Sequence, residues 1–252
     1  LMTDEFDKLQ EGIDNGVTSP QVPENIRFLI HQYPRFSTIL TGSRRLKRLR
    51  EEYWSALFGL GTRESVSALE RDAAEKLITE PVKGKLAFAQ DAVNRICYLT
   101  AQQPYLTQCL CNRIFDLAAR ENNRSITVDF VDRASDILVE NNEHFASLWD
   151  YARSDRRRFL LALLQKESKN PDLLKLAIIS EKLFSTYGIE LGEESLSEDL
   201  EHLQELELVK LIDKTDDGQY QLEVPLMGHW IKRQQDFSVL KIKAMNETED
   251  QN

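Results

Sequence analysis

Residues 1–7 read LMTDEFD, an apolar start that runs directly into acidic residues. An apolar start of this kind is typical of a strand buried on both faces in the middle of a parallel sheet. Open α/β sheets bind their ligands just beyond the carboxyl ends of such strands, which is where Asp4 and Glu5 would lie. The stretch therefore predicts a ligand site at a strand end, with the alternative that Asp4 caps a helix beginning at Glu5.

A second stretch of similar character, FSTILTGS at residues 36–43, follows a predicted helix of residues 23–33. A strand, a helix and a second parallel strand form a right-handed unit by default, so the two strand ends should be neighbours. Thr41, Gly42 and Ser43 at the second end are small residues that allow close approach by a phosphate or a water molecule.

The chemistry that suits these two strand ends is nucleotide hydrolysis. Asp4 can hold Mg²⁺ on nucleotide phosphates, and Glu5 can orient or deprotonate the attacking water. Arg44 and Arg45 follow the second strand end directly, and one of them could sense the terminal phosphate. The alternative for the arginines is a solvated helix face that pairs with the glutamates after it.

The remainder of the chain changes to almost continuous helix at Pro81. Apolar residues at helical spacing predict a small bundle for residues 81–150. Residues 151–236 predict three helices followed by two short strands with a turn at 216–218, the order of a winged helix-turn-helix. Residues 237–252 are polar and predict a disordered tail.

The third helix of the predicted winged helix is acidic and carries no Lys or Arg. Its predicted exposed acids are Glu194, Glu198, Asp199, Glu201 and Glu205. Nucleic-acid phosphates would meet the wrong charge on this helix. A basic cluster, Arg153 and Arg156–Arg158, lies on the first helix, which does not usually enter a groove of DNA. The segment therefore predicts a protein-contacting or intramolecular module.

Composition excludes several classes of protein. The net charge of −10 over 252 residues argues against broad nucleic-acid binding. No apolar run approaches the roughly 18 residues of a membrane span, and the acidic N-terminus is unlike a secretory signal. The three cysteines, without a Cys-x-x-Cys pair, predict reduced core residues of a cytoplasmic protein rather than a disulfide framework or a metal site.

Four segments in this order resemble the C-terminal portion of STAND-class ATPases, close to the archaeal-type AAA+-like P-loop ATPases. DEFDKL at residues 4–9 resembles the Walker B segment, and ILTGSRR at 39–45 resembles the sensor 1 strand with its arginines. LTAQQPYL at 99–106 is similar to the lid segment that usually contains Gly-Gly-x-Pro. YQLEVPL at 220–226, followed by Trp230, resembles the end of the family's winged helix.

The resemblance implies a fold of mixed class that is mainly helical. Residues 1–80 would be an α/β remnant, the C-terminal half of a P-loop NTPase core. An all-α lid would follow at 81–150 and a winged helix-turn-helix at 151–236, before the tail at 237–252.

The resemblance also implies ATP and Mg²⁺ as cofactors. Asp4 would be the metal-side acid and Glu5 the catalytic residue that activates water. The implied nucleotide-binding residues are Ser43, Arg44, Arg45, Gln103 and Pro104. The winged helix would act as a latch over the nucleotide, so that exchange of ATP for ADP exposes surfaces for protein partners or for self-association.

Two departures from the family pattern bear on function. The sequence contains no G-x-x-x-x-G-K-[ST] loop to cradle phosphates, which predicts a fragment, inactive alone, whose missing segment precedes Leu1. Ala101 and Gln102 stand where the family usually has glycines, which predicts a stiffer lid turn. The leading interpretation is an ATP-driven signalling switch. The alternatives are a non-enzymatic protein-interaction module and, after it, a DNA-binding regulator.

Overall fold

Two short parallel strands lie side by side near the start of the chain. Strand β1 is Met2–Thr3 and strand β2 is Ile39–Leu40. Helices α1 (Lys8–Asp14) and α2 (Val22–Gln32) lie between them in sequence. The predicted order of strand, helix and strand is therefore confirmed.

Backbone hydrogen bonds fix the register of this pair and extend it past the strand ends. Met2 lies opposite Ile39, and Thr3 lies opposite Leu40. The Thr41 N–H donates to the Thr3 carbonyl at 3.0 Å, and the Phe6 N–H donates to the Thr41 carbonyl at 2.9 Å. The residues that follow each strand are thus neighbours, as the sequence predicted.

A small apolar cluster covers only one side of these strands, so the prediction of buried strands was wrong: Met2 is 78% and Ile39 55% exposed. Phe6 and Ile26 are buried at its centre. The half-buried side chains packed around them are Leu9, Val22, Ile30 and Leu40. Burial of one face of α2 against the strand ends accounts for the position of this helix.

The computed structural model describes residues 1–6, 8–42, 62, 64, 66, 68–140, 142–212 and 218–249. The chain divides into two units, Leu1–Ser65 and Val66–Asn252. Strands β1 and β2 with helices α1 and α2 belong to the first unit. No helix within the described ranges is both long and apolar enough to cross a membrane.

The second unit begins with a bundle of helices. They are α3 (Arg71–Thr79), α4 (Gln90–Thr100), α5 (Pro104–Glu121), α6 (Val128–Glu140) and α7 (Glu143–Tyr151). Their buried residues recur at helical spacing, as Ala92, Val93 and Ile96 do on α4. Two short parallel strands, β3 (Ala87–Phe88) and β4 (Ser125–Ile126), join the segments before α4 and α6. The mainly helical character predicted from Pro81 onward is confirmed.

Helix α8 (Asp155–Lys166) lies at the centre of the rest of the second unit. Six consecutive residues, Phe159 to Leu164, are each no more than 3% exposed. A helix that is apolar on all sides must be covered on all sides. The elements around it are α9 (Leu176–Tyr187), α10 (Glu193–Glu205), β5 (Val209–Ile212), β6 (Gln219–Leu222), α11 (Pro225–Gln234) and α12 (Phe237–Glu249).

Strands β5 and β6 form an antiparallel hairpin after α10. Val209 lies opposite Leu222, and Lys210 lies opposite Gln221. The segment before α9 also reaches this hairpin, because Lys175 bridges to Gln219. Three helices followed by a hairpin are the order of elements that the sequence predicted for residues 151–236.

The prediction of a disordered tail at 237–252 was wrong for residues 237–249, which form α12. Leu240 and Ala244 are buried on the side of α12 that packs against α8, and Thr248 continues this stripe. Phe237 and Met245 also pack against this core, but the polar residues between these positions make the stripe weak in the sequence. The large apolar surface of α8 nonetheless orders the segment.

The last turn of α12 also supplies an acceptor to the first turn of α8. The Glu247 carboxylate accepts from the Arg156 N–H at 2.6 Å and from the Ser154 hydroxyl at 3.0 Å. Ser154 itself is the N-cap residue of α8. A carboxylate at this end of a helix stabilises both the free N–H groups and the helix dipole.

We expect the substitution Glu247→Ala to lower the free energy of unfolding by about 1–2 kcal/mol, because two partly buried donors lose their acceptor. The matched control is Glu249→Ala, at an exposed position of the same helix, which should change stability by less than about 0.5 kcal/mol. Urea unfolding followed by circular dichroism measures both. Equal effects of the two substitutions would contradict a capping role for Glu247.

Candidate functional site

Asp4 and Thr41 meet at the ends of the two strands of the first unit. The Thr41 hydroxyl donates a hydrogen bond to the Asp4 carboxylate, with Oγ1 and Oδ1 2.5 Å apart. The Glu5 N–H donates to the same oxygen at 2.9 Å. Because β1 and β2 are parallel and in register, the residues after their carboxyl ends lie on the same edge of the sheet.

Asp4 is suited to remain ionised in this position. The Thr41 hydroxyl, followed by the Glu5 N–H, holds the pKa of Asp4 below its ordinary value of 3.8. Its other oxygen, Oδ2, accepts no hydrogen bond within the described part of the chain. An exposed carboxylate oxygen at the end of a parallel strand is a suitable ligand for Mg²⁺.

Glu5 has an unusual backbone conformation. Its φ is 50°, in the left-handed region that normally favours glycine. The Glu5 carbonyl accepts from the Lys8 N–H at 2.9 Å, and α1 begins only at Lys8. The structure therefore does not support the alternative in which Asp4 caps a helix beginning at Glu5. The Glu5 side chain is exposed beside Asp4.

The structure brings together only part of the predicted site. Asp4 and Glu5 are adjacent in the first unit, together with Thr41. Gln103 and Pro104 belong to the second unit, where Gln103 is the N-cap residue of α5 and Pro104 its first residue. Ser43, Arg44 and Arg45 lie outside the described residues.

The sequence pattern does not predict the hydrogen bond from Thr41 to Asp4. The sequence pattern predicts Thr41 only as one of three small residues at the second strand end, and it predicts nucleotide contact for Ser43. The available signal was its position, because Thr41 directly follows β2 as Asp4 directly follows β1. In a parallel pair, such equivalent positions are the ones that meet.

The turn before α5 has a left-handed backbone at two consecutive positions. Ala101 and Gln102 have φ values of 49° and 59°, and both positions are left-handed. The Gln102 N–H donates to the Cys97 carbonyl at 3.1 Å, which closes the end of α4. The Gln102 carbonyl accepts from the Leu69 N–H at 3.0 Å, which fixes the turn in place.

The acidic helix α10 differs from the prediction at Asp199, which was expected to be exposed. Asp199 is 1% exposed, because it lies on the buried face of α10 beside Leu196 and Leu200. Its carboxylate accepts from Arg156 and Arg157, with an Nε–Oδ1 distance of 2.8 Å for Arg157. Part of the predicted basic cluster therefore neutralises this buried acid.

Comparison with known proteins identifies the fold. No family model and no curated protein sequence matches the chain. Among solved structures, the fold of the chain has a similar counterpart. The ORC2 protein of Aeropyrum pernix, in ADPNP-ADP complexes, matches with a TM-score of 0.55 and 15% identity over 99% of this chain and 65% of that chain. Its ADP form matches with a TM-score of 0.43 and 15% identity over 99% of this chain and 64% of that one.

This likeness shows the fold and confirms the mainly helical class with a helical C-terminal part. The chain spans about 65% of the length of the ORC2 chain. The activity, substrates and partners of a whole protein therefore do not follow from the likeness.

We expect Thr41→Val to raise the pKa of Asp4 toward its ordinary value, because the larger of the two hydrogen bonds that lower it is lost. A carboxyl group with a lowered pKa in the folded state stabilises the fold above its ordinary pKa. That contribution disappears as the pH falls through the lowered value. Titration of the Asp4 carboxyl carbon by NMR measures the shift. The control is Thr38→Val, at a half-buried threonine before β2, and a rise of the Asp4 pKa in both variants would contradict a specific role of Thr41.

We expect Gln102→Gly to raise the free energy of unfolding by about 0.5–1 kcal/mol. Relief of the left-handed backbone contributes about 1–2 kcal/mol, and the greater freedom of glycine in the unfolded chain offsets about 0.5–1 kcal/mol of that. The matched control is Gln103→Gly, where φ is −68° and glycine should destabilise. Thermal and urea unfolding compare the two variants, and a loss of stability in Gln102→Gly would contradict strain at this turn.

Proposed function

We propose that this chain is part of an ATP-dependent signalling switch of the STAND type. Asp4 is its metal-side acid and Glu5 its water-activating residue. The observation that carries the proposal is the hydrogen bond between Thr41 and Asp4 at the ends of two adjacent parallel strands. It places a charged carboxylate and a polar side chain at the edge where α/β sheets bind ligands.

The residues at this edge fit a nucleotide-bound Mg²⁺ better than a metal held by protein alone. Within the described ranges, no group of three or more His, Cys, Asp or Glu side chains could hold a metal ion. An ion at Asp4 would therefore take further ligands from phosphates and water, as Mg²⁺ commonly does. Bound Mg²⁺ would neutralise charge on the transferred phosphate.

The residues of the chain would have distinct roles at this site. Thr41 fixes the orientation of the Asp4 carboxylate and keeps its pKa low, so that the acid stays charged. Glu5 extends from the same edge into solvent and would orient the attacking water. We further propose that the nucleotide is contacted by Ser43, Arg44, Arg45, Gln103 and Pro104.

Nucleotide binding is supported at the level of the fold. The ORC2 structure that matches is described as ADPNP-ADP complexes. No Walker A sequence occurs in the 252 residues, so a phosphate-holding loop would have to come from outside them. The appropriate material for the decisive experiment is therefore the longest natural product of the gene that contains these residues.

We propose that residues 151–236 act as a winged-helix latch that contacts protein rather than nucleic acid. The exposed acids of α10 are Glu193, Glu194, Glu198, Glu201 and Glu205, and the helix carries no Lys or Arg. Phosphates would be repelled from this surface, whereas a basic protein surface would be attracted. The same observation favours the second candidate, a protein-interaction module that does not hydrolyse ATP.

We expect Glu5→Gln in that longer product to abolish ATP turnover while Mg²⁺-dependent ATP binding is retained, because the amide cannot accept a proton from water. The matched control is Glu24→Gln, at an exposed acid in the first turn of α2, which should leave turnover unchanged. Phosphate release and isothermal titration with ATP, with and without Mg²⁺, measure the two properties.

Two outcomes would count against the proposal. Unchanged turnover in Glu5→Gln would exclude Glu5 as the water-activating residue. Absence of ATP binding by the longer product, with or without Mg²⁺, would favour the protein-interaction module and leave Asp4 and Glu5 without a catalytic role.

A further inference from the structure

A cavity of about 280 Å³ lies within the second unit. Its wall is formed by the end of α4, the end of α8, the β5–β6 hairpin and the first turns of α11. Leu164, Leu174 and Leu222 provide an apolar part of this wall. The volume is close to the lower limit of about 300 Å³ for ligand pockets, so it suits a small ligand.

Polar side chains from several segments of the chain line the cavity. They include Gln102, Gln165, Ser168, Lys210, Gln221 and His229. None of these side chains makes a hydrogen bond or an ion pair to another described residue. Polar groups that are gathered around an apolar-lined space and are not used in folding remain available to a ligand.

The hairpin places the positive charge of the wall beside an amide. Lys210 and Gln221 lie directly opposite each other on β5 and β6, so their side chains share one face of the hairpin. No Asp or Glu is among the described residues of the wall. The cavity therefore presents an ammonium group and amides to its occupant, without a competing carboxylate.

His229 adds a neutral ring to this wall. Burial, together with the positive charge of Arg95, lowers the pKa of His229 below its ordinary value. The ring is therefore uncharged at neutral pH and offers one donor and one acceptor. The charge of the wall then comes from Lys210 among the described residues.

We propose that this cavity binds a small organic acid that carries one carboxylate on an apolar body. Lys210 would pair with the carboxylate, Gln221 would donate to it, and the leucines would contact the apolar body. The single ammonium group of Lys210 matches the single negative charge of a carboxylate. A nucleoside diphosphate carries more negative charge than this wall can neutralise. The proposal does not depend on the nucleotide site at Asp4.

Contact with Gln102 would allow the bound acid to affect the packing of the second unit. This residue is in a left-handed conformation in the turn that leads to Gln103 and Pro104. A ligand that contacts Gln102 and Gln221 together would hold the helical bundle against the hairpin. Binding would therefore stabilise the second unit in the packing seen here.

Two probes of the same shape test the charge preference of the cavity. The anionic probe is 1-naphthoate and the neutral probe is 1-naphthamide, each titrated into the 252-residue chain by calorimetry. We expect naphthoate to bind with a Kd of roughly 1 mM or tighter. Naphthamide should bind about tenfold more weakly, because the charge-assisted hydrogen bond is lost.

Two pairs of variants locate the probe. Lys210→Met should remove the preference for naphthoate, and the control Lys169→Met, at an exposed lysine outside the wall, should retain it. Gln221→Trp should fill the cavity and abolish binding of both probes. Gln219→Trp, on the same strand but outside the wall, should leave both affinities unchanged.

Four results would overturn the proposal. They are no binding of naphthoate, equal binding of the two probes, an unchanged preference in Lys210→Met, and displacement of naphthoate by ADP. Circular dichroism of each variant establishes that it folds, and the charge and filling variants give independent answers.

Discussion

Burial of α8 on all of its sides is the constraint on which the rest of the second unit depends. Six successive buried residues, Phe159 to Leu164, leave this helix without a face for solvent. Helices α11 and α12, the hairpin and the acidic helix α10 all contact it. A helix of this kind requires neighbours for its apolar surface and polar partners for its ends, and both requirements organise the surrounding sequence.

Two polar contacts at the N-terminal end of α8 use charge in different ways. At the N-terminus of α8, Glu247 accepts from a backbone N–H and from Ser154, so a residue 91 positions along the chain from Arg156 completes the helix. Next to it, Arg156 and Arg157 neutralise Asp199, which α10 carries into the core. Loss of Asp199 would leave both arginines partly buried and without their shared partner, which makes this cluster a determinant of how α10 packs.

The sequence predicts features that come from repeating or alternating residue patterns. It does not predict features that depend on a contact with one distant residue. The order of β1, α2 and β2 follows from strand and helix patterns, and so does the meeting of their ends. The burial of Asp199 depends on arginines about 42 residues away and leaves no local pattern. The helix at 237–249 packs its apolar stripe against α8, which is distant from it in the sequence.

Some residues of the chain adopt a backbone conformation that their residue type disfavours. Glu5, Ala101 and Gln102 all have positive φ, although none is glycine. Such conformations persist only where surrounding contacts determine them, and each of these residues has such contacts. Glu5 lies between the Asp4 carboxylate and the Lys8 N–H, and Gln102 is held by backbone bonds on both sides. Positive φ at the strand end beside Asp4 and in the turn before α5 therefore marks backbone that neighbouring hydrogen bonds hold in place, as a local pattern of residues alone would not predict.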